Sequence, residues 1–154
     1  MADKTTVTNV VFAGLGGQGV LKASDILAEA AFQHGYDVKK AEIHGMSQRG
    51  GSVSSDVRFG EEVLSPMVPV GEADILVVLD STQVEPNIHQ LRHGGTLITP
   101  EAIVGESRSV EDATRDTSTP LSRQNFNVAL LGTLSYYLDI AESTWQQAVC
   151  AYLP

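Results

Sequence analysis

Two glycine-rich clusters hold most of the residues in this chain that could do chemistry. The first is Gly14-Leu15-Gly16-Gly17-Gln18-Gly19, which follows the apolar run Val10-Val11-Phe12-Ala13. Gly14, Gly16 and Gly19 fit the spacing G-x-G-x-x-G. That pattern turns a strand into a helix and lets backbone approach a ligand, with the free N–H groups of the helix start offered to an anion. The second cluster is His44-Gly45-Met46-Ser47-Gln48-Arg49-Gly50-Gly51. It falls where a second strand should end, at the sheet edge where open α/β folds build their sites. Arg49 carries a planar fork suited to a carboxylate or phosphate. His44 can give or take a proton near neutrality. Gln48 can fix the loop, and Met46 can supply an adaptable contact.

Each cluster has a second reading. The first reads as a phosphate or dinucleotide cradle, with Glu42 as the ribose acceptor. It reads equally as a tight turn whose glycines only permit close packing, and Gln18 could bond a ligand or a neighbouring loop. The second reads as an anion site or as a protein–protein contact loop. Residue types alone leave both pairs open.

The elements that must position these clusters follow from periodicity. Val7–Ala13 reads as a buried strand. Val20–His34 reads as a helix, with Leu21, Ser24, Ile26, Leu27, Ala30, Ala31 and Phe32 on one stripe and Gly35 as its stop. Asp37–Ile43 reads as a second strand, so a βαβ start is expected. Ser52–Phe59 alternates, with Ser55 small enough to face inward. Gly60-Glu61-Glu62 reads as a hairpin turn into a short strand Val63-Leu64. Ala73–Leu79 reads as a central strand, Gln83–Arg92 as a helix and Thr96–Thr99 as a further strand. Residues 105–120 give no clear pattern. Asn125–Leu138 and Ser143–Cys150 read as helices, with Ser143 as a cap. The expected fold is a single α/β, Rossmann-like domain, its sheet mostly parallel, with helices on both faces and an antiparallel hairpin.

Other candidates read as structural. His89 and His93 are four apart, a metal-ligand spacing, but no third ligand joins them and a surface helix face is expected. His34 suits a helix end. Asn125 and Asn127 flank Phe126 at a helix start and read as caps. Tyr136, Tyr137 and Trp145 read as core or interface. No metal-ligand set and no nucleophile in a recognisable motif stand out.

Composition narrows the function classes. The 154 residues suit one domain with a real core, and 42% are hydrophobic. A formal charge of −9 argues against a nucleic-acid or anionic-membrane surface. The single cysteine, Cys150, excludes an internal disulfide and a cysteine-held cluster built by this chain alone. No stretch approaches the roughly 20 apolar residues of a membrane span, and the start has no apolar signal region, so a cytoplasmic protein is expected.

Taken together, G-L-G-G-Q-G-V (Gly14 to Val20), H-G-M-S-Q-R-G-G-S-V (His44 to Val53), V-R-F-G (Val57 to Gly60) and L-S-P (Leu64 to Pro66) run in a familiar order. It resembles that of the gamma-type subunit or domain of 2-oxoacid:ferredoxin oxidoreductases. The form H-G-M-S-Q-R-G-G is most similar to the beta subunit of indolepyruvate ferredoxin oxidoreductase. G-E-A-D (Gly71 to Asp74), H-G-G-T (His93 to Thr96) and N-V-A-L-L-G (Asn127 to Gly132) also fit.

The resemblance implies a complete enzyme that oxidatively decarboxylates a 2-oxoacid and joins the acyl group to coenzyme A, with ferredoxin taking the electrons. It implies that thiamine diphosphate, magnesium and iron–sulfur clusters sit in a partner subunit and that this chain holds no cofactor alone. The gamma-type part would supply no catalytic residue. It would pack on the thiamine-binding subunit and help shape the substrate or coenzyme A approach. Gly14, Gly16, Gly17, Gln18 and Gly19 would form the cofactor-binding part of that surface. His44, Gly45, Met46, Ser47, Gln48, Arg49, Gly50 and Gly51 would form the other. The family usually continues further at its C-terminus, so residues 1–154 are expected to be one gamma-type domain with a truncated end. A stand-alone dinucleotide-binding protein and a purely structural interaction domain are the alternatives.

Overall fold

The β-branched run near the N-terminus forms strand β1 (Thr8–Leu15), and the chain turns through the glycines into helix α1 (Val20–His34). The structure, a computed structural model, describes residues 6–44, 51–104, 122 and 125–153. Strands β2 (Asp37–His44), β3 (Ser52–Gly60), β4 (Ala73–Val78) and β5 (Leu91–Ile98) complete a sheet in the order β2-β3-β1-β4-β5. β1, β4 and β5 pair in parallel, while β3 runs antiparallel to both its neighbours, β1 and β2. Four strands therefore share one direction and β3 opposes them. The expected α/β, Rossmann-like class with an antiparallel hairpin is borne out.

The sheet packs its longer helices on one face. Val10, Phe12, Val57, Phe59, Ile75 and Val77 meet Ile26, Leu27, Ala30 and Ala31 of α1. Leu130, Leu131 and Leu134 of a helix over Phe126–Ser135 join them, with Trp145 and Ala148 of another over Glu142–Tyr152. Each fully buried Leu or Phe contributes about 1.5–3 kcal/mol, so this layer dominates stability. The other face is covered more thinly. Val11, Ala13, Leu76 and Val78 meet Val68, from the segment after β3, and Val84 of the short helix α2 (Val84–Asn87). A further short helix, α3, spans Glu101–Val104. The helix over Phe126–Ser135 is hereafter α4, and that over Glu142–Tyr152 is α5.

Several local expectations need correction. The antiparallel hairpin is β2–β3, not a pair around Gly60-Glu61-Glu62, and Val63-Leu64 is not a strand. The reason is that Val63 and Val68 are drawn inward singly while the backbone between them is held by side chains. The helix expected over Gln83–Arg92 is only α2 flanked by 3₁₀ turns, and β5 starts at Leu91. His93-Gly94-Gly95 is accommodated inside β5 by a bulge, with Gly94 at φ +78°. His89 and His93 therefore do not share a helix. The last helix starts at Glu142 behind Ala141, so Ser143 is not its cap. Phe32 points outward at 67% exposure, whereas Ser55 is fully buried as expected. Residues 105–120 lie outside the described residues.

The segment after β3 lies across the thinner face as a strap. Asp37 accepts from Val63 N at 2.8 Å and Asp56 from Val68 N at 2.9 Å. Burial pushes the Asp56 carboxyl up, against the Val68 hydrogen bond and the nearby Arg58 charge. Arg58 donates to Asn9 Oδ1 at 2.9 Å, to the Ser65 carbonyl at 3.0 Å and to the Met67 carbonyl at 3.3 Å. Arg58→Ala removes these donors, and about 2 kcal/mol of stability is expected to go with them. Hydrogen exchange of Val68 N should rise in that variant before the β1 amides respond. Equal acceleration of both would mean that Arg58 does not hold the strap.

Candidate functional site

The carboxyl edge of the sheet brings the two sequence clusters together at their roots. Leu15 pairs with Ser52, Gly14 with Val53, and His44 with Val53 across the neighbouring ladder. Gly16 N donates to the Gly51 carbonyl at 2.9 Å. The turn after β1 therefore lies beside the end of β2 and the start of β3. Gly45, Met46, Ser47, Gln48, Arg49 and Gly50 lie outside the described residues, and of His44 only the backbone is described.

The glycines of the first cluster have separate jobs. A Cβ on Gly14 would come within 2.8 Å of Val20 Cγ2 and 2.9 Å of Gln18 Oε1, so this position serves close packing of helix on strand. Gly17 sits at φ +89° with open space around it, and Gly19 at φ +83° against Asn127. Asn127 is buried, donates from Nδ2 to the Gly19 carbonyl at 3.2 Å, and ties α4 to the start of α1. The local capping role expected of Asn127 gives way to a bond spanning 108 residues, a contact that no local pattern could reveal.

Gln18 is committed to a neighbouring loop. Its Oε1 accepts from Leu15 N at 2.8 Å, and its Nε2 donates to Asp80 Oδ2 at 2.7 Å. Asp80 follows β4 and also accepts from Thr82 N at 3.0 Å and Thr82 Oγ1 at 2.5 Å. Burial pushes the Asp80 carboxyl up, but the donors from Thr82 and Gln18 together outweigh it and hold the group below its ordinary range. Next to this clasp, Ser52 Oγ donates to Gln83 Oε1 at 2.9 Å. Loops after β1 and β4 and the root of β3 thus form one bonded edge. Sequence reasoning missed Asp80, Gln83 and Asn127 as site residues, since each acts across strands.

Beside this edge lies an open cleft of about 400 Å³. Leu15, Gly16, Gly17, Leu21, Lys22 and Val53 line it. The lining is mostly apolar, with one cation at the start of α1. Chemically it suits a ligand or partner segment with an apolar body and an anionic end.

The dinucleotide reading fits this geometry poorly. Glu42 stands on β2, and β3 separates β2 from β1. The acceptor strand is therefore two spacings, about 9–10 Å, from β1 instead of one. Lys40 also holds Glu42 at 2.7 Å while pairing with Asp25 of α1. The Asp80 carboxylate, bonded to the glycine turn through Gln18, would repel a diphosphate placed in the crevice between β1 and β4. Among the described residues no group of three His, Cys, Asp or Glu could hold a metal, and no helix is long and apolar enough to cross a membrane.

Comparison with known proteins decides the family. The model for pyruvate ferredoxin/flavodoxin oxidoreductase matches residues 9–154. The chain belongs to this family. The indolepyruvate oxidoreductase subunit IorB of Thermococcus kodakarensis is 46% identical over 91 residues, 59% of this chain and 45% of that protein. The pyruvate/ketoisovalerate oxidoreductases common subunit gamma of Pyrococcus abyssi is 39% identical over 74 residues, covering 48% and 40%. The chain thus matches less than half the length of these relatives. Among solved structures, the gamma subunit of a keto/oxoacid ferredoxin oxidoreductase from Geobacter sulfurreducens superposes with a TM-score of 0.74 at 22% identity, covering 96% of this chain and 87% of that one. The 2-oxoglutarate:ferredoxin oxidoreductase of Magnetococcus marinus, solved with 2-oxoglutarate, coenzyme A and succinyl-CoA bound, gives 0.77 at 19% identity, over 94% of this chain and 27% of that one. These two show a shared fold. The family expected from the paired motifs is the family found.

Proposed function

We propose that this chain is the small, gamma-type subunit of a 2-oxoacid:ferredoxin oxidoreductase, with an arylpyruvate such as indolepyruvate as substrate. The complete enzyme would decarboxylate the 2-oxoacid oxidatively and form the acyl-CoA. Thiamine diphosphate, magnesium and iron–sulfur clusters would be carried by a partner subunit, and ferredoxin would accept the electrons. With one cysteine, this chain lacks the thiolates to hold a cluster alone. A cytoplasmic location goes with this reading.

The observation that carries the proposal is the bond from Gly16 N to the Gly51 carbonyl. It sets the turn of the first cluster beside Gly51, the last residue of the second, at one edge of the sheet. Gly14 to Gly19 and His44 to Gly51 would face the partner near its thiamine site. Arg49 would hold an anionic group, a substrate carboxylate or a coenzyme A phosphate. His44 and Gln48 would fix its loop, and Lys22 would stand beside the cleft.

Arg49→Ala tests this in the assembled enzyme. Turnover at subsaturating 2-oxoacid or coenzyme A should fall about tenfold, the size of one lost charge-assisted bond, with assembly unchanged. Unchanged kinetics in an intact complex would favour a purely structural role for the loop.

A further inference from the structure

The strap over residues 61–72 combines a rigid backbone with side chains turned away from the core. Val63 and Val68 are buried beneath it. Leu64, Met67 and Val70 between and beyond them are 87%, 55% and 71% exposed. This outward set does not come from slackness. Asp37 and Asp56 hold the strap from below, Arg58 holds the Ser65 and Met67 carbonyls, and Asn9 Nδ2 donates to the Glu72 carbonyl at 3.1 Å. A fixed loop that presents three apolar side chains to solvent has the form of a preorganised contact surface.

Charge selects the occupant. The strap contains Glu61, Glu62 and Glu72, all exposed, and no lysine or arginine. A second copy of this chain would bring the same acidic rim and another −9 of net charge to the contact. A partner with an apolar groove bordered by Lys and Arg complements both features.

We infer that the strap docks, through Leu64, Met67 and Val70, into an apolar, basic-rimmed groove on the larger subunit of the complex. This rests on the subunit reading above. It adds a second contact, on the sheet face opposite α1, distinct from the carboxyl edge with its two glycine clusters.

The test uses the full chain co-expressed with the thiamine- and cluster-bearing subunit. Leu64→Ser with Val70→Ser removes apolar contact from exposed positions, so the melting temperature of the chain should stay within about 2 °C. Affinity for the larger subunit should weaken at least about tenfold. Glu61→Lys with Glu62→Lys should slow association and flatten its salt dependence. If wild type and both variants bind the larger subunit equally, the docking inference is overturned while the subunit reading stands. If wild type does not bind that subunit, the subunit reading itself fails and the inference with it. A concentration-dependent homodimer that dissolves in the Leu64→Ser, Val70→Ser variant would assign the strap to a second copy, and also overturn it.

Discussion

Gly19→Ala is expected to lose about 3 kcal/mol of stability, roughly 6–12 °C in melting temperature for a chain of this size. Two costs add. Gly19 sits at φ +83°, where a side chain costs about 1–2 kcal/mol. Its new Cβ would also meet Asn127 Nδ2 at 2.4 Å and Cγ at 3.0 Å. Asn127 is buried and cannot swing away without giving up its bond to the Gly19 carbonyl, so the contact costs about 1–2 kcal/mol more. Gly17→Ala is the control. It has φ +89° and nothing within 4 Å, so only the backbone cost applies. Combining Gly19→Ala with Asn127→Ser should recover part of the loss, giving a coupling energy between sites far apart in sequence. Denaturant unfolding of the wild type, Gly17→Ala, Gly19→Ala, Asn127→Ser and the Gly19→Ala, Asn127→Ser double variant measures this. Equal losses at Gly17 and Gly19 would contradict the packing role of Gly19.

Gln18→Glu should be nearly as damaging at neutral pH, by about 2–3 kcal/mol. It replaces a donor to Asp80, now 2.7 Å from its oxygen, with a second carboxylate. A charge-assisted bond is lost and two like charges meet. The pH dependence then changes sign. In the wild type the Asp80 carboxyl is held below its ordinary 3.8, so the clasp contributes fully above that value. Its contribution fades as pH falls through the lowered folded value. In the variant the two like charges raise the folded pKa of the pair, so it takes up a proton as pH falls and the repulsion is relieved. The deficit relative to wild type should therefore shrink as pH drops from about 7 toward 4. Urea midpoints across that range decide the matter. A deficit independent of pH would mean that the introduced carboxylate turns away from Asp80.

What was legible in the sequence divides along physical lines. β1, the glycine turn and α1 were readable because β-branched residues, four glycines and a 3.6-residue stripe follow one another without conflict. The capping Gly35 marked the helix end. The start of β5 was hidden because His93-Gly94-Gly95 looks like a helix stop, whereas a bulge inside a strand absorbs it. The hairpin was displaced because Gly60-Glu61-Glu62 has turn residues but no second strand to pair. At the site, the glycines and Gln18 were visible as types. Their partners Asp80 and Asn127 were not, since each lies more than 60 residues away in sequence. Glu42 had the right spacing for a ribose acceptor, but the insertion of β3 between β1 and β2 moved it away from the crevice. Spacing along the chain carries no information about which strand lies between.

The central proposal is that this member of the pyruvate ferredoxin/flavodoxin oxidoreductase family works as the small subunit of a thiamine- and iron–sulfur-dependent 2-oxoacid oxidoreductase. The direct measurement is affinity purification of the chain from its native cell, with partners identified by mass and the eluate read for iron–sulfur absorbance and 2-oxoacid-dependent ferredoxin reduction. The expected result is a brown complex with a larger thiamine- and cluster-bearing subunit, active on an arylpyruvate with coenzyme A. A colourless chain eluting alone, with no 2-oxoacid-dependent electron transfer, would contradict it.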